Sequence, residues 1–221
     1  MKIPAHAPLH LLHRSGVGTL ATHSREPQGF PYPTVLPFAT DARHRPVVLV
    51  SRLAEHTRNL QADPRAGFLV VHAPGGDVLN AERVTLIGSF EPLEPASAAA
   101  TRYLRYHADA ERYLALGDFS YWVMAIERLR YIGGFGAMGW LDAADLDPLA
   151  PLPSEEEAAL TAFFERHPQR PARLGLAGVD RYGADLKVDG VLERDSFDEP
   201  KRTIPKLQTA LADCIERRAS K

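Results

Sequence analysis

The chain lacks most of the features that announce a function. It has one cysteine, Cys214, in 221 residues. No internal disulfide can form, and a reducing compartment is expected. Cys214 has no Cys or His at ligand spacing and reads as a half-buried helix residue. No apolar run approaches the roughly 20 residues of a membrane span. The opening MKIPAHAPLHLLHRSG has neither the apolar segment nor the cleavage site of a signal peptide, so a soluble cytoplasmic protein is expected. Formal net charge is -2, and no block of one sign marks a nucleic-acid binder. HExxH and GxSxG are absent, so neither zinc-protease nor α/β-hydrolase chemistry is expected. The glycines of GGFGAMGW, 133–140, do not fall as GxGxxG before a helix, which argues against a dinucleotide site. They read as a tight turn that lets Phe135, Met138 and Trp140 pack near a site. His6, His10 and His13 share a helical face read as surface, and no metal site is expected.

Apolar residues make up 45% and charged residues 24%, enough for a buried core. A short helix over 7–15 ends at Gly16. Strands are expected at 17–22, 34–40, 45–51, 66–73 and 83–93, with a long strand or strand pair over 119–136 ending in glycines. Helices are expected at 52–62 and 95–107. Hairpins with few, short helices exclude a Rossmann alternation and favour an antiparallel barrel. Composition shifts at DAADLDPLAPLPSEEE, 142–157, whose prolines and acidic cluster mark a linker and a helix start capped by Ser154. Beyond it, a helix, two or three short strands over 172–197 and a closing amphipathic helix over 204–218 make a small α+β domain. The expected class is mainly β with α, with domains at 1–145 and 146–221.

The stretch SRLAEHTRNLQADPRAGFLVV, 51–71, places a polar helix between two apolar strands. At helical spacing Arg52, His56 and Asn59 share one face, and Leu53, Thr57 and Leu60 share another that would pack on the barrel. Ser51 sits at the strand-to-helix corner. Hydroxyl, guanidinium, imidazole, amide and first-turn N–H groups together have the ingredients of a phosphate site. A solvated helix face is the alternative.

GTLAT, followed by PYPTVLPFATDARHRPVVLVSRLAEHTRNLQADPRAGFLV, resembles the flavin-mononucleotide-binding split barrel of the pyridoxamine 5′-phosphate oxidase superfamily. RVTLIGSFEPL and RYIGGFGAMGWL resemble its haem-utilisation branch. GVDRYGADLKVDGVLERDSF resembles the small α+β domain fused to that branch. The resemblance implies that Ser51, Arg52, His56, Thr57 and Asn59 hold the ribityl phosphate of flavin mononucleotide (FMN). It implies that Thr34 and Val35 border the flavin ring, that Arg83 reaches the flavin, and that the cofactor lies between two subunits of a homodimer. Pro33-Thr34 stands where relatives have Gly-Ser, Gly67 stands where serine is common, and PSEEEAALTAFF replaces a histidine-rich opening of the small domain. An FMN-dependent oxidoreductase of unassigned substrate is the first functional expectation, with the chemistry belonging to the flavin. The alternatives are a haem-binding or haem-degrading protein, with His107 or His167 as axial ligand, and a non-catalytic flavin-binding module. No catalytic side chain is assigned, and neither a nucleic acid nor a membrane is an expected partner.

Overall fold

The computed structural model describes residues 3, 4, 6–73, 76–134 and 136–219. The chain divides into two compact units, Met1–Pro148 and Leu149–Lys221.

The first unit runs α1 (Ala7–His13), β1 (Val17–Arg25), β2 (Gln28–Thr40), β3 (Pro46–Ser51), α2 (Glu55–Ala62), β4 (Arg65–His72), β5 (Glu82–Leu93), α3 (Ala98–Tyr106), α4 (Glu111–Leu114), β6 (Phe119–Ile132) and β7 (Met138–Asp142). The sheet order is β3-β2-β1-β4-β5-β6-β7, and a further β3–β6 pairing closes six strands into an antiparallel barrel with β7 as an extra strand. This is the split barrel that the resemblance implied. Alternation builds it. Leu20, Phe38, Phe68, Val70, Val84, Leu86, Phe90 and Leu129 are buried in the interior, where the Phe38 and Phe68 rings meet edge to face at 5.1 Å. Gly18 is dictated by this packing, since a Cβ there would fall 2.4 Å from the Phe68 ring.

β2 begins six residues earlier than expected, and its early residues include Pro31 and Pro33. Those prolines pair with His23 and Ala21 of β1, while β3 pairs only with Phe38–Thr40. The other side of that half-strand is open, which is where a strand tolerates a missing N–H. The run over 119–136 is one long strand ending in glycines: β6 (Phe119–Ile132) then turns toward β7 with Gly134 and Gly136 at positive φ and Gly133 N–H donating to the Ala137 carbonyl at 2.7 Å.

One expectation about α1 needs correction. His13 is not on a surface face but 1% exposed. Its Nδ1 lies 3.1 Å from Thr40 Oγ1, and its Nε2 lies 2.7 Å from His44 Nδ1. His44 Nε2 in turn meets Asp147 Oδ2 at 3.0 Å. This buried chain ties α1 to the β2–β3 turn, where His44 takes φ 62°.

The second unit holds α5 (Ser154–Glu165), β8 (Leu174–Asp180), β9 (Gly183–Val188), β10 (Val191–Ser196) and α6 (Ile204–Ala219). The three strands form an antiparallel sheet in the order β10-β9-β8. Leu160, Phe164, Leu186, Leu211, Cys214 and Ile215 form its core. Arg194, buried, is paired with Asp180 at 3.0 Å and Asp185 at 2.6 Å. Ser154 does not cap α5: Pro153 is the N-cap and Ser154 the first helical residue, with no side-chain cap. No helix among the described residues is long and apolar enough to cross a membrane.

Candidate functional site

The 51–59 corner forms, but with different roles from those the helical spacing predicts. α2 starts at Glu55, so Arg52 and Leu53 lie in the turn before it and the face assignment shifts. Leu53, expected to pack, is 70% exposed, whereas Asn59, expected to face outward, is fully buried. Asn59 Nδ2 donates to Thr22 Oγ1 at 3.0 Å, and its Oδ1 accepts from the Arg25 N–H at 3.2 Å. Its amide pins α2 to β1. Thr57 is fully buried beside it, and its hydroxyl has no hydrogen-bond partner.

The remaining groups of the corner face an acid. β3 pairs with β6 so that Ser51 lies opposite Phe119, which brings Asp118 to the corner. Ser51 Oγ donates to Asp118 Oδ2 at 2.5 Å and accepts from the Leu53 N–H at 3.0 Å. Arg52 N–H donates to the Asp118 carbonyl at 2.8 Å, and Arg52 Nη2 to the Gly117 carbonyl at 2.9 Å. Burial holds the His56 imidazole below its ordinary value, so it is neutral at pH 7. The turn before α2 therefore brings Arg52 beside Asp118, and the Ser51 hydroxyl already donates to that carboxylate. This set does not fit the phosphate dianion of FMN, which takes open, uncompensated donors.

Arg83 is also committed. Its Nη1 donates to the carbonyls of Val78, Leu79 and Ala81, the first at 2.9 Å, and so holds the loop before β5. Among the described residues no hydrogen bond joins it to the corner. Thr34, opposite Leu20, is half-buried. Val35, one residue on, points outward and is 68% exposed.

Val35 belongs to a larger feature. The register aligns Val35, Thr19, Leu69, Thr85, Arg130 and Trp140 in one row across β2, β1, β4, β5, β6 and β7. A second row is Pro33, Ala21, Gly67, Ile87, Arg128 and Asp142. Val71, Arg83, Ile132 and Met138 continue a third. At about 4.8 Å per strand each row runs roughly 24 Å along the curved outer wall of the barrel. Leu69, Val71 and Ile87 give the β4–β5 middle of this outer face apolar side chains beside Thr85 and Arg83, and its β6–β7 edge carries Arg128 and Arg130. The Arg128 guanidinium lies 4.8 Å and that of Arg130 5.7 Å from the Trp140 ring centroid. Arg128 also approaches Asp142 at 3.6 Å, while Arg130 has no ion-pair partner among the described residues. Of the turn residues expected to pack near a site, Trp140 is on this face, Met138 is in its third row, and Phe135 lies outside the described residues.

Sequence reasoning missed two things here. Arg128 and Arg130 alternate in ERLRYI and therefore share a face, a signal that was readable. Asp118 follows Gly117 and reads as a turn former, and only the β3–β6 closure reveals its partner. The candidate haem ligands are both partly engaged. His107 Nε2 is 2.7 Å from the Phe38 carbonyl, and its ring lies against Tyr103. His167, in the second unit, accepts at Nδ1 from the Gln169 N–H at 3.4 Å.

Known proteins share this architecture. A chloroplastic non-canonical haem oxygenase of Arabidopsis thaliana is 32% identical over 152 residues, 63% of this chain and 46% of that protein. The chain thus spans about half the length of that curated relative. A haem-binding protein from Mycobacterium smegmatis is 30% identical with a TM-score of 0.60 over 100% of both chains. A protein of unknown function from Agrobacterium tumefaciens, 23% identical, superposes with a TM-score of 0.76 over 93% of this chain and 92% of its own, and shares the fold. Residues 4–147, nearly the whole first unit, match the family described as CREG, beta-barrel, and the chain belongs to that family.

Proposed function

We propose that the chain is a haem-binding protein, acting as a homodimer in the cytoplasm, with haem held on the outer face of β1, β2 and β4–β7. The observation that carries the reading is the composition of that face. Leu69, Val71 and Ile87 offer an apolar surface to a flat macrocycle, and Arg128 and Arg130 at the Trp140 edge suit its two carboxylates. The Mycobacterium smegmatis relative is a haem-binding protein and the Arabidopsis relative a non-canonical haem oxygenase, which supports the same reading. A second subunit covering the face would exclude water and strengthen those ion pairs. When bound, haem supplies iron-centred redox and oxygen chemistry. The chain's part is to orient the macrocycle by its carboxylates and to shield it.

His107 serves as an axial ligand through Nε2 only by releasing the Phe38 carbonyl. His167, in the second unit, has its Nδ1 engaged by the Gln169 N–H. The test is a pair of titrations of the purified protein, one with haem and one with FMN, read by visible absorption, with light scattering at micromolar concentration. A saturable Soret band and a dimer are expected. A structured blue flavin spectrum with no Soret change, or a monomer that binds neither ligand, would overturn the reading. Under reductant and oxygen, loss of the Soret band would distinguish haem degradation from haem carriage.

A further inference from the structure

We infer that Asp118 is a specificity-determining residue, one that closes the 51–59 corner to phosphorylated ligands. The corner has the shape of an anion site: a strand end, a serine, an arginine and the start of an eight-residue helix. Three of its donors, the Ser51 hydroxyl, the Arg52 N–H and Arg52 Nη2, are answered from a single neighbouring turn. Gly117, at φ 78°, can adopt that left-handed geometry without the steric cost a side chain would bring. Its carbonyl accepts from Arg52 Nη2. The next residue supplies both a carbonyl to the Arg52 N–H and a carboxylate to the Ser51 hydroxyl. Ser51 Oγ, in turn, is the acceptor for the Leu53 N–H. An incoming phosphate would have to displace the carboxylate or lie beside it.

The fold brings Asp118 to the corner. Phe119, immediately after Asp118, is held opposite Ser51 by the β3–β6 pairing that closes the barrel. That pairing keeps the Asp118 backbone at the corner, within reach of Ser51. Two like charges a few ångströms apart at a partly exposed site repel strongly enough to change affinity by roughly tenfold or more. Among the groups left, Arg58 is matched by Glu55 at 3.8 Å, and His56, held below its ordinary value by burial, brings no compensating charge. Asp118 thus does the work of rejection that contacts to the favoured ligand alone would not do. The inference stands on the corner's own geometry, so it survives or fails separately from haem binding.

The experiment measures FMN and riboflavin binding by flavin fluorescence quenching in the wild-type chain, Asp118→Asn and Asp118→Ser. Asparagine can still accept from the Ser51 hydroxyl and preserves the turn. Serine is a second, smaller neutral substitute should asparagine perturb folding, which circular dichroism checks. In the wild type the two flavins should bind within about twofold of each other, because the phosphate gains nothing. In the variants FMN should gain about tenfold over riboflavin, while riboflavin stays unchanged. A wild type that already prefers FMN tenfold would overturn the inference. So would folded variants whose FMN-to-riboflavin ratio matches that of the wild type, or that bind no FMN.

Discussion

Replacing Asn59 with alanine separates a structural pin from a ligand-binding group. The side chain is fully buried and makes two hydrogen bonds, to Thr22 Oγ1 at 3.0 Å and from the Arg25 N–H at 3.2 Å. Removing it leaves the Arg25 N–H and the Thr22 hydroxyl short of a partner. Thr22 keeps only a long contact to the Tyr32 carbonyl at 3.5 Å. A buried polar group left unsatisfied costs about 1–3 kcal/mol. Two partly compensated groups and a small cavity together cost about 2–4 kcal/mol. Both tryptophans, Trp122 and Trp140, are in the first unit, so tryptophan emission during urea unfolding reports that unit alone. With a slope of about 2 kcal/mol per molar urea, the midpoint should fall by roughly 1–2 M. A shift below about 0.3 M, with the slope unchanged, would refute the pin and return Asn59 to the solvent face.

Three further outcomes are expected. Gly88→Ala should destabilise the first unit by about 1–3 kcal/mol, because a Cβ at the β5–β6 irregularity would meet the Ala125 carbonyl oxygen at 2.1 Å. A urea midpoint within error of the wild type would contradict this. His56 has its pKa lowered from 6.5 by burial. As pH falls from 6.5 toward the lower folded value, the unfolded state binds the extra proton and the first unit loses stability, with no dependence above that window. His56→Gln should remove that part of the acid sensitivity, and identical pH profiles for variant and wild type would count against it. Burial pushes the Cys214 thiol up to about 12, so a thiol reagent at pH 8 should label it only when the second unit unfolds. Fast labelling of the native chain would refute its burial.

Much of the fold was legible because it rests on alternation. The paired strands β4 and β5 and the glycine turn before β7 each have a local chemical cause. The corner was less legible because helical spacing was applied to residues that precede the helix. Because α2 begins at Glu55 and not at 52, Leu53 lies in the turn on no helix face, while Asn59 is buried with Thr57 and Leu60. His13 was misread for a related reason: its partners, Thr40, His44 and Asp147, are distant in sequence. No local pattern could place them beside it. Asp118 is the sharpest case, since its contact with Ser51 spans 67 positions and depends on barrel closure. The arginines of the outer face were readable from alternation in β6, whereas the tryptophan they stack on needed the β6–β7 register.

The most direct test of haem binding on the outer face compares two substitutions in one haem titration. Ile87, 44% exposed, lies in the middle of the face, and Arg52 lies at the corner on the turn before α2. Ile87→Asp should weaken haem binding at least tenfold, because a carboxylate would be desolvated beneath the macrocycle. Arg52→Ala should leave haem affinity within about twofold. Circular dichroism confirms that both variants are folded. Equal haem affinities for Ile87→Asp and the wild type, or a tenfold loss confined to Arg52→Ala, would contradict the account.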